Sequence, residues 1–213
     1  MTRVLQYLAL RPLRSLRDYS ELGTLIHCYK LLRTHPKKRK AMSDIHFEKV
    51  GLEDLQKLKS LEYTTFYDSF AHLNSPTNMQ TYSDYAFTDE KVLSEIKDTK
   101  STFYFANSAD ETIGYFKIKR EATYKEGAVA NGMQLERIYV LGKYQGQKMG
   151  QFMLEEVMNL ARKGGAAYLW LGVWEKNIRA VRFYERNGFV LDGKVAFKLG
   201  EEGQWDYLMK LDL

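Results

Sequence analysis

The run Leu135-Glu136-Arg137-Ile138-Tyr139-Val140-Leu141, continued through Tyr144-Gln145-Gly146-Gln147-Lys148-Met149-Gly150 into Gln151–Arg162, decides how this chain folds. Its first part is rich in β-branched and aromatic residues and reads as a strand. Its last part repeats Met149, Phe152/Met153, Val157 and Leu160/Ala161 at helical spacing and reads as an amphipathic helix. A strand that enters a helix through a glycine-bearing turn leaves backbone N–H groups without partners at the helix start. Together with the helix dipole, those donors favour an anion such as a pyrophosphate. Lys143 and Lys148 add positive charge beside them. A glycine turn alone is a weak signal, because glycine also relieves tight turns that bind nothing.

The next stretch sharpens the reading. Tyr168-Leu169-Trp170-Leu171-Gly172-Val173-Trp174 has the composition of a second buried strand. Asn177 through Phe189 then reads as a helix capped by Asn177 and ended by Gly188.

The order Q-x-x-G-x-G/A after a strand, followed by N-x-x-A-x-x-F-Y-x-x-x-G-F, resembles the GNAT (GCN5-related) N-acetyltransferases. The wording LERIYV, LWLGVWEKN and AVRFYERNGF is most similar to the PaiA-type bacterial spermidine/spermine N-acetyltransferases. The resemblance runs from about Asp44 to the C-terminus and is densest from Met133 onward. It departs at Lys148, where the family's middle glycine would stand, so Gln145 and Gly150 alone match the three signature positions.

The resemblance implies an α/β (α+β layered) GNAT fold, with a mixed central sheet of about six to seven strands. Helices would cover both faces, and a central strand pair would splay. Acetyl-CoA would lie in that gap as co-substrate. Ile138, Tyr139 and Val140 would contribute strand backbone, and Gln145, Gly146, Gln147, Lys148, Met149 and Gly150 would cradle the pyrophosphate. Asn177 would reach the pantetheine or phosphate arm. A plain helix cap worth about 1 kcal/mol explains Asn177 equally well, and the two roles are compatible.

Acetyl transfer to an amine needs a proton removed and a thiolate stabilised. A primary amine with a pKa near 10.4 is neutral in roughly one molecule in 2,500 at pH 7, a cost of about 4.6 kcal/mol. Glu136 on the central strand is the candidate base. Strict strand alternation turns Arg137 to the opposite face, away from it. Tyr184, in Phe183-Tyr184-x-x-x-Gly188-Phe189, is the candidate proton donor.

Composition bounds the alternatives. At 213 residues, 45% hydrophobic and 28% charged, the chain suits one well-cored α/β domain. No apolar run approaches the ~18 residues of a membrane span. The single cysteine, Cys28, forms no internal disulfide framework and suits a reducing, cytoplasmic setting. No His/Cys spacing suits a metal. Residues 1–41 hold ten Lys/Arg against Asp18 and Glu21, a net +8. Of the chain's 32 Lys/Arg and 27 Asp/Glu, 22 and 25 therefore follow, a net −3. A mildly acidic domain gives no electrostatic case for nucleic acid. We read residues 1–41 as a basic N-terminal extension, disordered or preceding the natural start at Met42, and 42–213 as the acetyltransferase domain.

Within that domain the first strand is expected at Ile45–Val50 and a helix over Glu53–Leu73, broken by Ser75-Pro76. A second helix should run from the Thr88 cap to about Asp98. Strands follow at Thr102–Ala106 and Glu111–Lys119, then a loop over Arg120–Gly132. Closing strands are expected at Val195–Leu199 and Asp206–Leu211.

The expected function is acetyl-CoA-dependent N-acetylation of a primary amine, with a polyamine such as spermidine or spermine favoured. A peptide, protein or other small amine is the alternative acceptor, and a non-catalytic CoA-binding sensor is the alternative class. The partners are acetyl-CoA and a small amine, with no metal, nucleic acid or membrane; a homodimer is left open. The charge discontinuity at Met42 generates a first prediction. The shortened chain Met42–Leu213 should melt within a few degrees of the full chain and keep its turnover. Loss of most activity would make the extension part of the fold.

Overall fold

The computed structural model describes residues 45–109, 111–122, 131–199 and 202–213. The extension 1–41, the middle of the Arg120–Gly132 loop, Asp110 and the tip Gly200-Glu201 lie outside them. The chain begins with β1 (Ile45–Lys49), a 3-10 turn (Leu52–Asp54) and α1 (Leu55–Phe70). Ser75-Pro76, expected only to break a helix, instead starts one: α2 (Pro76–Ala86). The Ser75 hydroxyl accepts from Asn78 N at 3.2 Å, and a proline at the first helical position gives up an amide that has no helical partner anyway. α3 (Asp89–Lys97) follows, with the Thr88 hydroxyl accepting from Lys91 N at 3.1 Å.

Next come β2 (Ser101–Ser108), β3 (Glu111–Lys119) and β4 (Gly132–Val140). α4 (Met149–Lys163), β5 (Tyr168–Trp174) and α5 (Ile178–Arg186) lie as the periodicity predicts. The closing hairpin is longer than expected. β6 begins at Val190 and ends at Leu199, and β7 runs Glu202–Asp212.

The seven strands form one mixed sheet in the order β1-β2-β3-β4-β5-β7-β6. Every neighbouring pair is antiparallel except β4 and β5. One face carries Leu135, Ile138, Val140, Leu169, Leu171 and Val173. They pack against Met153, Leu154 and Val157 of α4 and against Ala180, Phe183 and Tyr184 of α5. The other face carries Phe103, Phe105, Tyr115, Tyr139 and Trp174 under Leu58 and Phe66 of α1, Met79 of α2 and Val92 of α3.

Two irregularities shape the centre. Parallel pairing of β4 with β5 covers Gly132–Gln134 against Tyr168–Trp170 and stops there. Beyond it the C-terminal halves of the two strands share no ladder bond, so a gap opens between them. The second irregularity is a β-bulge at Glu136. Lys117 pairs with Arg137 but Ile118 pairs with Leu135, which leaves Glu136 as the extra residue on β4. Core membership shows the slip in parity: Met133 and Leu135 share the α4 face with Ile138 and Val140, not with Arg137.

β3 approaches β4 closely near this point. A Cβ at Gly114 would lie 2.2 Å from Tyr139 O and 3.1 Å from Val140 Cα, both backbone atoms that cannot swing aside. Gly114→Ala should therefore cost about 1–3 kcal/mol, the usual range for overpacking a filled interior. At roughly 2–4 °C per kcal/mol for a chain of this size, calorimetry should show a clearly lowered melting temperature. An unchanged melting curve would mean that the sheet relaxes freely here.

Candidate active site

The gap is bounded at one end by the loop that β4 feeds. A 3-10 turn (Gly142–Tyr144) follows the strand, and the side-chain amide of Gln145 donates back to Val140 O at 2.9 Å, tying the loop to the strand end. Gln147 does the same to Lys143 O at 3.0 Å. Lys143 and Tyr144 both donate to Glu111 at the start of β3, a second anchor. Among the described residues the amides of Gly146, Gln147, Lys148, Met149 and Gly150 make no backbone hydrogen bond. The first helical bonds come from Gln151 N and Phe152 N, both to Lys148 O. Five successive donors at the N-terminus of a long helix form an anion cradle. Lys148 caps this helix at φ 65°, ψ 9°, a left-handed conformation that costs a side-chain-bearing residue about 1–2 kcal/mol. The expected position of the glycine is thus physically explained, although a lysine stands there.

The other bank of the gap is α5. Asn177 Oδ1 accepts from Ala180 N at 3.1 Å, the expected cap, which leaves its side-chain NH2 uncommitted by that bond. Gly188, at φ 87°, ends the helix and lets Phe189 N bond Tyr184 O at 3.1 Å. That turn sets Phe189 edge-on to the Tyr184 ring at 5.5 Å, with Phe183 at 5.3 Å on another side. Tyr184 is fully buried, its hydroxyl has no hydrogen-bond partner among the described residues, and burial raises its phenol above the ordinary value. A buried hydroxyl without a partner is costly and rare.

The face under α1–α3 holds a feature that sequence reasoning missed. Glu62 of α1, Glu95 of α3, Lys117 of β3 and Glu136 and Arg137 of β4 are all buried. Lys117 Nζ donates to Glu136 Oε1 at 3.0 Å and to Glu95 Oε2 at 2.9 Å. Arg137 binds Glu62 through Nη1 and Glu95 at 2.9 and 3.2 Å. The expectation that Arg137 faces away and leaves Glu136 clear of cations is therefore corrected. The bulge turns Glu136 and Arg137 to the same face, and Lys117 neutralises Glu136 directly.

Burial would raise the Glu95 carboxyl, but the charges of Arg137 and Lys117 hold it down at about 2. For Glu62 the balance reverses: burial outweighs the single Arg137 and raises its carboxyl. Burial likewise lifts Tyr82 of α2 to about 12, and Tyr139 well above its ordinary value. One signal was available in the sequence. Glu62 sits among Leu58, Leu61, Thr65 and Phe66 on the buried stripe of α1, a carboxylate where an apolar residue is the rule.

Ile138, Val140 and Tyr184 thus share the core under α4 and α5, Tyr139 and Glu136 lie on the α1–α3 face, Gln145 ties its loop to Val140, and Asn177 caps α5 ahead of Tyr184. Among the described residues no helix is long and apolar enough to cross a membrane. None of their His, Cys, Asp and Glu side chains form a group of three or more that could hold a metal ion.

A model of the Acetyltransferase (GNAT) family matches residues 63–189. An N-acetyltransferase of the pepI 3′ region of Lactobacillus delbrueckii subsp. lactis is 31% identical over 169 residues, 79% of this chain and 98% of that protein. The spermidine N(1)-acetyltransferase of Thermoplasma acidophilum is 26% identical over 152 residues, 70% of this chain and 89% of the relative. In fold, the PaiA N-acetyltransferase of Thermoplasma acidophilum, crystallised with coenzyme A, superposes with a TM-score of 0.64 at 24% identity. That match covers 80% of this chain and 99% of the other.

The strained Lys148 yields a prediction. Lys148→Gly should raise stability by at most about 1 kcal/mol, because relief of the left-handed strain is partly offset by the greater freedom of glycine when unfolded. Coenzyme A affinity, read by calorimetry, should change by less than about tenfold, or 1.4 kcal/mol. A far larger gain in affinity would show that lysine damages the cradle.

Proposed function

The chain belongs to the GNAT acetyltransferase family and is an N-acetyltransferase. On that premise we propose that it transfers the acetyl group of acetyl-CoA to the primary amine of a polyamine such as spermidine or spermine. The observation that carries the catalytic part is the buried Tyr184 hydroxyl, which has no hydrogen-bond partner among the described residues and packs in one core with Ile138, Val140, Leu171 and Val173 of the unladdered halves of β4 and β5. The acceptor rests on two supports. Relatives of this chain are named spermidine and spermine N-acetyltransferases, and three buried carboxylates, Glu62, Glu95 and Glu136, cluster on the sheet face under α1–α3.

The residues present fit acetyl-CoA. Its pyrophosphate suits the free amides of Gly146–Gly150, with Lys148 adding charge. Its pantetheine amides suit the β4 edge at Ile138, Tyr139 and Val140, which carries no β5 partner beyond Gln134. Val140 O already accepts from Gln145, so at that residue the carbonyl serves the loop. Asn177 keeps its NH2 for the same arm. Bound acetyl-CoA supplies an activated thioester.

This chain's own residues do the rest. Tyr184 holds its proton at neutral pH and offers it where sulfur gains charge. The acidic face under α1–α3, which includes Glu136, attracts the ammonium of the acceptor, and a carboxylate of that face takes its proton as general base.

Tyr184→Phe keeps the ring and removes the donor. With the full chain, acetyl-CoA and spermidine, kcat and kcat/KM should fall together by about 10²–10⁴-fold. The melting curve and coenzyme A affinity should stay near wild type. Turnover within threefold of wild type would reduce Tyr184 to a packing residue. Wild-type silence across spermidine, spermine, peptides and aminoglycosides, with coenzyme A still bound, would identify a sensor module instead.

A further inference from the structure

Among the buried carboxylates, satisfaction is unequal. Glu95 accepts from Lys117, Arg137 and, at the rim, Lys91 at 3.0 Å. Glu136 accepts from Lys117. Glu62, 1% exposed, accepts from Arg137 through Oε1 alone, and its Oε2 has no hydrogen-bond partner among the described residues. A charged oxygen buried without a donor is among the costliest arrangements a protein keeps. Filling that place with another hydrocarbon side chain would be easy on an apolar helix stripe, yet a glutamate stands there.

Its surroundings connect it to the reacting end of the gap. Tyr139, on the β4 edge beyond the β5 ladder, interacts electrostatically with both Glu62 and Tyr184. The groups facing Glu62 are Arg137 from β4, Lys117 and Tyr115 from β3, Glu95 from α3 and Tyr82 from α2. The one cation bonded to Glu62, Arg137, is shared with Glu95, and the tyrosines around it hold their protons at neutral pH.

We infer that Glu62, rather than Glu136, is the carboxylate that receives the acceptor's ammonium and takes its proton. This inference rests on the acetyltransfer reading above. The ammonium gives one proton to the Glu62 carboxylate. The freed nitrogen lone pair forms the C–N bond to the acetyl carbonyl carbon as the C–S bond breaks, its electron pair leaving on sulfur. The second proton shed by that nitrogen ends on sulfur by way of Tyr184, giving an amide and a free thiol. Glu62 Oε2 supplies the charge-assisted acceptor that –NH3+ needs. Its raised carboxyl also makes it a better match to an amine proton than an ordinary glutamate. Glu136, locked to Lys117 by the bulge, then has a structural task.

The test uses the full chain, acetyl-CoA and spermidine between pH 6 and 10, comparing wild type with Glu62→Gln and Glu136→Gln. In Glu62→Gln, kcat/KM for spermidine should fall about 100-fold at pH 7.5, while coenzyme A affinity stays within threefold. The deficit should shrink as pH rises towards the amine's own pKa of about 10.4, because solvent then supplies the neutral amine. Shrinkage of that kind separates a base from a packing residue, whose loss would be the same at every pH. If Glu62→Gln fails to fold, Glu62→Asp keeps the charge but withdraws it, and should lose at least tenfold in kcat/KM with the wild-type pH profile. Either Glu62 variant within threefold of wild type overturns the assignment, as does a pH-dependent loss in Glu136→Gln instead. Wild-type silence on spermidine and spermine would be a different failure, removing the polyamine reading itself.

Discussion

Parallel pairing between β4 and β5 stops after Gln134 and Trp170, and nearly everything functional in this fold follows from that stop. A buried strand edge without ladder partners is unfavourable, because each idle N–H or C=O has left water for nothing. Something must hold the edge open. On one face α4 and α5 wedge against Ile138, Val140, Leu171 and Val173 with large buried side chains. On the other, the bulge at Glu136 twists β4 and turns Arg137 beneath α1 and α3, where Glu62 and Glu95 grip it. The opening is therefore held by packing on one side and by charge on the other. The same opening presents peptide groups to a ligand that itself carries amides.

The charged side is a compromise in stability. A buried ion cluster rarely stabilises a fold more than hydrocarbon of the same volume would, although breaking one partner is expensive. Here its two outer members pull in opposite directions with pH. Glu95 is depressed to about 2, so the stability it lends is full above the ordinary carboxylate range near 4.3 and is lost as pH falls through 2. Glu62 is raised, so its contribution is full at low pH and fades as pH climbs through its elevated value. Near neutrality Glu95 favours the folded state and an ionised Glu62 opposes it. A fold that keeps such a residue does so at the expense of stability, the pattern expected of functional sites.

The elements that carry local signals were legible in the sequence. The α4 stripe, the apolar Tyr168–Trp174 strand and the Asn177-to-Gly188 frame of α5 each follow from patterns within one element, and the structure has them at the expected places. α2 was not legible, because Ser75-Pro76 reads equally as a helix stop and as a cap with proline at the first position. The bulge was invisible for a stronger reason. Alternation is a rule for an unbroken ladder, and one inserted residue inverts it for all that follow. The pairing of Glu62 with Arg137 spans 75 residues of sequence, and no periodicity within either element announces it. Whether Gln145–Gly150 and Asn177 hold a ligand is likewise a matter of what those free donors meet, which spacing alone does not encode.

The burial of Tyr184 sharpens what kind of acid it is. A thiol has an ordinary pKa near 8.5 and a phenol near 10, and burial moves this phenol further up. Outright transfer of the Tyr184 proton to a free thiolate would therefore run uphill, and a lone tyrosinate left in that apolar pocket between Phe183 and Phe189 would be costly. The favourable course is donation without departure. On the acetyltransfer proposed above, the hydroxyl would hydrogen-bond the sulfur as charge gathers on it and pass a proton on only as the attacking nitrogen sheds one. A raised phenol suits this role, since it stays fully protonated across the pH range in which an amine is being neutralised. Glu62 Oε2 and the Tyr184 hydroxyl, each without a hydrogen-bond partner among the described residues, are then complementary. Glu62 is raised towards accepting a proton, and Tyr184 is raised towards keeping one.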